Sequence, residues 1–139
     1  MKKTVAIIGS SGAIGSAFCK SLLSDHSIEK IYKFARNNID KDSDNEINIS
    51  IDIEDEDSIK KAIEELPENT RFDLIFVATG ILHNDDNIFP EKSIKDISID
   101  KLKKVFMVNT FGPTLLGKYF IPLLNREKSV FAFLSARVG

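Results

Sequence analysis

A chain of 139 residues is the length of a single domain, and 42% hydrophobic with 29% charged residues is enough to fill one core. Its 19 Lys and Arg against 21 Asp and Glu leave a formal charge of -2, which gives no basic face for nucleic acid and none for a membrane surface. One cysteine, Cys19, excludes an internal disulfide framework and fits a reducing, cytoplasmic setting, and no apolar run approaches the ~18 residues of a membrane span.

In chain order, strand-length apolar runs occur at Val5–Ile8, Ile31–Ala35, Ile47–Ile51, Leu74–Ala78 and Val130–Leu134. The opening "MKKTVAII" has too short an apolar stretch for a secretory signal and reads as a first strand. Helical spacing follows it in Ile14, Ala17, Phe18, Ser21 and Leu22, which places Cys19 in the core as a small hydrophobe. A second helix carries Ile59, Ala62, Ile63 and Leu66, capped by Asp55 or Asp57 and stopped at Pro67. A third helical stretch runs from Ser98 to Leu124, with Leu102, Val105, Phe106, Val108, Leu115, Leu116, Tyr119, Phe120 and Leu123 on its apolar face. Pro113 in "NTFGP" removes a donor and crowds the preceding turn, which predicts a kink or two helices in series. Residues 37–46 read as a solvated loop, and 79–98 as a long connection of the kind that carries function.

Strands alternating with helices predict an α/β domain spanning 1–139: a doubly wound parallel sheet, covered on both faces, in the order 3-2-1-4-5. In such a sheet a ligand enters the crevice between strands 1 and 4. The glycines of "IIGSSGAIG" sit between the first strand and its helix. Glycine there allows a tight turn, close approach of backbone to a ligand, and close packing of helix on strand. The free N–H groups and the helix dipole make this an anion site, so a pyrophosphate is the group expected. The ribose is then read at the end of the second strand. There Ala35 stands where an acid would hold a 2′-hydroxyl, and Arg36 follows, which favours NADP over NAD; the alternative is that Arg36 is a solvated loop residue.

With these residues in place, the chain resembles the short-chain dehydrogenase/reductase superfamily along its whole length. "IIGSSGAIG" is similar to that family's Thr-Gly-x-x-x-Gly-x-Gly, with Ile8 for the threonine, Ala13 for the middle glycine, and Gly12 restoring a glycine one position earlier. "VATG" stands where Asn-Asn-Ala-Gly ends the fourth strand, and only Gly80 matches. "VNTFG" resembles the helix motif Val-Asn-x-x-Gly, and "ATGILH" with "LSARVG" looks most like the C-factor cell-contact signalling branch. The resemblance implies a Rossmann fold that holds the dinucleotide at four places. These are the turn of Gly9, Ser10, Ser11, Gly12, Ala13, Ile14 and Gly15; the second-strand end of Ala35, Arg36 and Asn37; Asp52 and Ile53 at the adenine; and Ala78, Thr79 and Gly80 after the fourth strand.

The family's chemistry also calls for an Asn, a Ser and a Tyr-x-x-x-Lys pair. Asn109 fits the first role, the alternative being a plain helix breaker beside Gly112. For the second, the family's Ser-x-x-Gly counted back from Gly139 reaches Ala136, so Ser135 is the candidate, one residue early and on the other face of a regular strand. Neither Tyr32 nor Tyr119 has a lysine four residues on. The chain therefore reads as the N-terminal part of a longer protein, truncated after the fifth strand and inactive alone. His26 and His83 lack ligand-spaced companions, so no metal is expected, and the carboxylates of 52–57 read as caps and solvated charges. The expected function is hydride transfer between NADP(H) and a small carbonyl or alcohol substrate, with a homo-oligomer as the full-length form. The alternative, favoured by Ala136 and the missing asparagines, is a nucleotide-binding signalling or regulatory protein without catalysis.

Overall fold

The computed structural model of the chain describes residues 2–37, 43–82 and 89–136. Five strands, β1 (Lys3–Ile8), β2 (Ile28–Ala35), β3 (Glu46–Ser50), β4 (Leu74–Val77) and β5 (Val130–Phe133), form one sheet in the order β3-β2-β1-β4-β5. Every adjacent pair is parallel, with Ile8 level with both Phe34 and Val77. The expected order and direction are those found. The strand limits differ by up to three residues, most at β2, which begins at Ile28 because Ile28 already pairs with Lys3.

Helix α1 (Ala13–Leu23) lies over one face of the sheet, where Cys19, Phe18 and Leu22 pack on Val5, Ile7 and Ile31. Phe18 meets Phe76 edge-on at 4.8 Å. Helices α2 (Glu56–Glu64) and α4 (Gly112–Phe120) cover the other face, burying Ile59, Ala62, Leu116 and Phe120 against Ala6, Ile8, Phe34, Ile49 and Val77. Phe34 and Phe120 stand edge to face at 5.2 Å. Asp55 caps α2 by accepting from the Asp57 N–H at 3.0 Å, which settles the choice between the two aspartates.

Among the described residues, no helix lies over the second face of β3. The connection 36–45 contains no helix among its described residues, and it is too short for the usual crossover helix. On β3 the isoleucines Ile47 and Ile49 face α2 and α4, while Glu46, Asn48 and Ser50 take the other side. Lys33 of β2, 9% exposed, reaches Glu46 there at 3.2 Å. Alternation "EINIS" is the pattern of a strand buried on one side only.

The expected break at "NTFGP" takes a specific form. Helix α3 (Ile99–Phe106), capped by Ser98, passes into a π-turn at Met107–Phe111 and then into α4 without leaving the helical path. The Gly112 N–H donates back to the Met107 carbonyl, and Pro113 falls in the first turn of α4, where a missing donor costs little. The extra residue in the wider turn accommodates the proline ring that an unbroken α-helix would meet as a clash.

Helices α2 and α4 are also joined by charge. Glu56 accepts from Tyr119 Oη at 2.6 Å and from Lys118 Nζ at 2.8 Å. The Lys118 bond, and then the Tyr119 bond, hold the Glu56 carboxyl below its ordinary 4.5, and the same contact raises Lys118. A depressed folded-state carboxyl contributes stability above its unfolded value and loses it as pH falls through the folded one. Glu56→Gln is therefore expected to lower the melting temperature at neutral pH, with the difference from the parent chain closing as pH drops below 4.5 in a thermal-melt series. A difference that persists in acid would mean that the link is not ionic.

Candidate nucleotide-binding site

Strands β1 and β4 end together, and the chain leaves them in opposite directions, opening a crevice of about 590 Å³ at their carboxyl ends. That volume is in the range of cofactor sites. Its floor is the turn after β1. Gly9 has φ +85°, and a Cβ there would meet Thr79 Cγ2 at 2.9 Å and the Ala78 carbonyl carbon at 3.1 Å. Only glycine fits both the backbone angle and the space. The Gly9 and Ser10 N–H groups donate to the Phe34 carbonyl at 2.8 and 3.2 Å, which ties the turn to β2. Gly12 is the N-cap of α1 and gives it no side-chain hydrogen bond, and no acidic residue lies in the first turn. The helix therefore presents uncapped N–H groups and its positive end to the crevice.

The remaining walls come from three strand ends and one helix. Ala35 and Arg36 follow β2; Ile51, Asp52, Ile53 and Glu54 follow β3; Ala78, Thr79, Gly80 and Ile81 follow β4; Lys104 and Val108 face in from α3 and the π-turn. Arg36 is exposed, and among the described residues no carboxylate pairs with its guanidinium. Asp52 accepts from the Glu54 N–H at 3.0 Å, which shapes the loop that carries both. Lys104 closes this end of the crevice by donating to both Glu54 carboxylate oxygens, at 2.7 and 2.6 Å.

Of the residues expected at the cofactor, Gly9, Ser11, Gly12, Ala35, Arg36, Asp52, Ile53, Ala78, Thr79 and Gly80 line this one crevice. Ser10, Ala13, Ile14, Gly15 and Asn37 do not. Ser10 is buried, and its hydroxyl donates to the Phe34 carbonyl, so it braces the turn from beneath. Gly15 packs on the turn, where a Cβ would run into the Gly9 carbonyl oxygen. Ala13 and Ile14 open α1, with Ile14 exposed, and Asn37 is exposed beyond Arg36. The sequence reading missed Glu54, Ile81 and Lys104; the i, i+4 spacing of Lys104 and Val108 on one helical face was the available signal. Glu54 and Glu56 also depart from the cap-or-solvent reading of the 52–57 carboxylates, since each holds a lysine.

Asn109 stands on the π-turn with both ends of its amide bonded to one residue. Its Oδ1 accepts from the Ile81 N–H at 2.8 Å, and its Nδ2 donates to the Ile81 carbonyl at 2.7 Å. This is more than helix breaking: it pins the segment after β4 as a wall of the crevice. Ser135 is exposed just past β5. The ladder closes with the Leu134 N–H on the Val77 carbonyl at 3.0 Å, so Ser135 follows the last paired residue. Tyr32 lies in the core, and Tyr119 is bonded to Glu56. His83 falls outside the described residues. Among those described, no three His, Cys, Asp or Glu side chains group as metal ligands, and no helix is long and apolar enough to cross a membrane.

Residues 19–138 match the sequence profile of the family described as Enoyl-(Acyl carrier protein) reductase. The chain belongs to the short-chain dehydrogenase/reductase family. Solved structures of this family share its fold. A short-chain dehydrogenase family protein from Francisella tularensis superposes with a TM-score of 0.79 at 24% identity, over 98% of this chain and 52% of its own. A short-chain dehydrogenase/reductase from Burkholderia multivorans with bound NADP gives 0.81 at 19%, over 98% and 59%. A carbonyl reductase from Pseudomonas aeruginosa gives 0.81 at 20%, over 98% and 62%. This short-chain dehydrogenase/reductase chain therefore spans between half and two thirds of the length of these three. No curated protein sequence matches it. A place within the C-factor-like branch rests on "ATGILH" and "LSARVG" alone.

Proposed function

We propose that the chain is the dinucleotide-binding part of an NADP(H)-dependent oxidoreductase acting on a small carbonyl or alcohol. The observation that carries this is the Gly9 turn: a left-handed glycine and an uncapped helix N-terminus form the floor of a crevice whose other walls are the ends of β2, β3 and β4. These residues fit a dinucleotide. Gly9, Ser11 and Gly12 would hold the pyrophosphate, Ala35 and Arg36 the ribose with its 2′-phosphate, and Asp52 with Ile53 the base. Thr79 and Gly80 would border the nicotinamide half, kept in place by Asn109 through Ile81. The nicotinamide supplies or accepts the hydride when bound. Membership of the family and the neighbour with bound NADP support this reading. Ser135 is the group proposed to meet a substrate oxygen. A proton donor of the Tyr-x-x-x-Lys kind is absent from the sequence, so the 139-residue chain is expected to bind NADPH without turning substrate over.

Arg36 makes the cofactor choice testable. With Ala35 in place of an acid, no carboxylate stands at that position to repel a 2′-phosphate, and the Arg36 guanidinium, without a carboxylate partner among the described residues, can pair with it. Arg36→Ala should weaken NADPH binding by on the order of 1–3 kcal/mol in calorimetry and leave NADH binding nearly unchanged. Equal losses for both would place Arg36 outside the site, and no binding of either by the parent chain would overturn the function itself.

A further inference from the structure

We propose that the Thr79 hydroxyl is a nucleotide contact held in reserve: it lies inward and unpartnered in the free chain, and turns to donate to an oxygen of the nicotinamide-side phosphate or ribose at the Gly9 turn. This deepens, and rests on, the nucleotide-binding reading above. Among the described residues, Thr79 Oγ1 is the buried side-chain polar atom without a hydrogen-bond partner. A buried hydroxyl with no acceptor costs free energy, and such groups are rare in folded proteins. The run Leu74–Ala78 that precedes it is wholly apolar, and a valine in its place would fill the same volume without that cost. The hydroxyl therefore calls for a reason outside the free chain's own packing.

Its position supplies one. Thr79 lines the crevice, and its methyl group is the part nearest Gly9: a Cβ added to Gly9 would lie 2.9 Å from Thr79 Cγ2. A turn of about 120° about χ1, between two staggered wells, carries the hydroxyl to where the methyl now sits. That place borders the turn whose next element is the uncapped N-terminus of α1. An anionic or hydroxyl oxygen held there gains a donor, and the hydroxyl gains the acceptor it lacks. The phosphate oxygens of a dinucleotide and its ribose offer such acceptors, and the protein backbone at this spot offers none to the inward hydroxyl.

The test is Thr79→Val against the parent 139-residue chain, with Thr79→Ser as the conservative variant. Two readouts are taken on each: the melting temperature without nucleotide, and the calorimetric affinity for NADPH and for adenosine 2′,5′-bisphosphate, which keeps the adenosine-side phosphate and lacks the nicotinamide-side phosphate and ribose. The expected result is opposite signs. Thr79→Val melts higher than the parent yet binds NADPH about tenfold more weakly, as for one lost hydrogen bond to a charged acceptor. Binding of the bisphosphate is unchanged, and Thr79→Ser restores NADPH affinity. A higher melting temperature with unchanged NADPH affinity would make the hydroxyl a packing defect and overturn the proposal. A lower melting temperature, or an equal loss for the bisphosphate, would overturn it as well. A parent chain that binds no NADPH would instead remove the nucleotide-binding reading, and the contact with it.

Discussion

Gly15→Ala should be among the most damaging single-methyl changes in this protein, whereas Gly117→Ala, the same change in another helix, should stabilise it. At Gly15 the added Cβ runs into the Gly9 carbonyl oxygen, and it would also lie 2.9 Å from the Gly9 carbonyl carbon and 3.0 Å from Ser10 Cα. All three are backbone atoms, so no side-chain rotation relieves the overlap. Either α1 lifts off β1, or the turn moves and loses the Gly9 and Ser10 hydrogen bonds to Phe34. Overpacking of this kind costs about 1–3 kcal/mol, and more where the backbone must shift. The displaced turn is also the crevice floor, so NADPH affinity should fall with stability. At Gly117 the nearest atom to a new Cβ is Ile121 Cδ1, at an ordinary 3.7 Å. There the gain is about 0.4–1 kcal/mol from helix propensity and a less flexible unfolded chain. Urea melts of the two variants check both signs, and a mild effect at Gly15 would mean that α1 can move away from the turn at little cost.

That contrast also marks how far the sequence could be read. Spacing alone places Gly15 on a helix after a buried strand, and the strand order follows from parallel crossovers being right-handed. What spacing cannot give is which neighbour a residue meets across the fold. Glu54 and Lys104 are 50 positions apart, and nothing local marks them as partners at one end of the crevice. Asn109 was legible as a match to the family's motif asparagine, with a plain helix breaker as the alternative, but its bonds to Ile81 depend on how the π-turn faces the end of β4. The buried Thr79 hydroxyl is invisible in a string where threonine after an apolar strand looks ordinary. The alternation Glu46, Ile47, Asn48, Ile49, Ser50 was legible as a strand with one apolar face, but the pairing of Lys33 with Glu46 on its other face was not.

The two edges of the sheet differ in a way that predicts how the 139-residue chain behaves in solution. At the β3 edge the open side carries Glu46, Asn48 and Ser50, with Glu46 held by Lys33, and polar or charged groups there discourage a further strand. The β5 edge has no such protection. Among the described residues β5 pairs only with β4, and Val130, Phe133 and Leu134 are 54%, 57% and 39% exposed. A free row of backbone donors and acceptors beside exposed apolar side chains is a template for another copy of the same strand. The chain made alone should therefore associate, with a light-scattering mass that rises with protein concentration. The double change Val130→Lys with Phe133→Lys places charge on that strand and should return the chain to a monomer. Ser50→Lys, on the opposite edge, should leave association as it was. A parent chain that stays a compact monomer with one sharp unfolding transition at high micromolar concentration would show that the β5 edge is not sticky. Association abolished equally by Ser50→Lys would move the contact to the other side of the sheet.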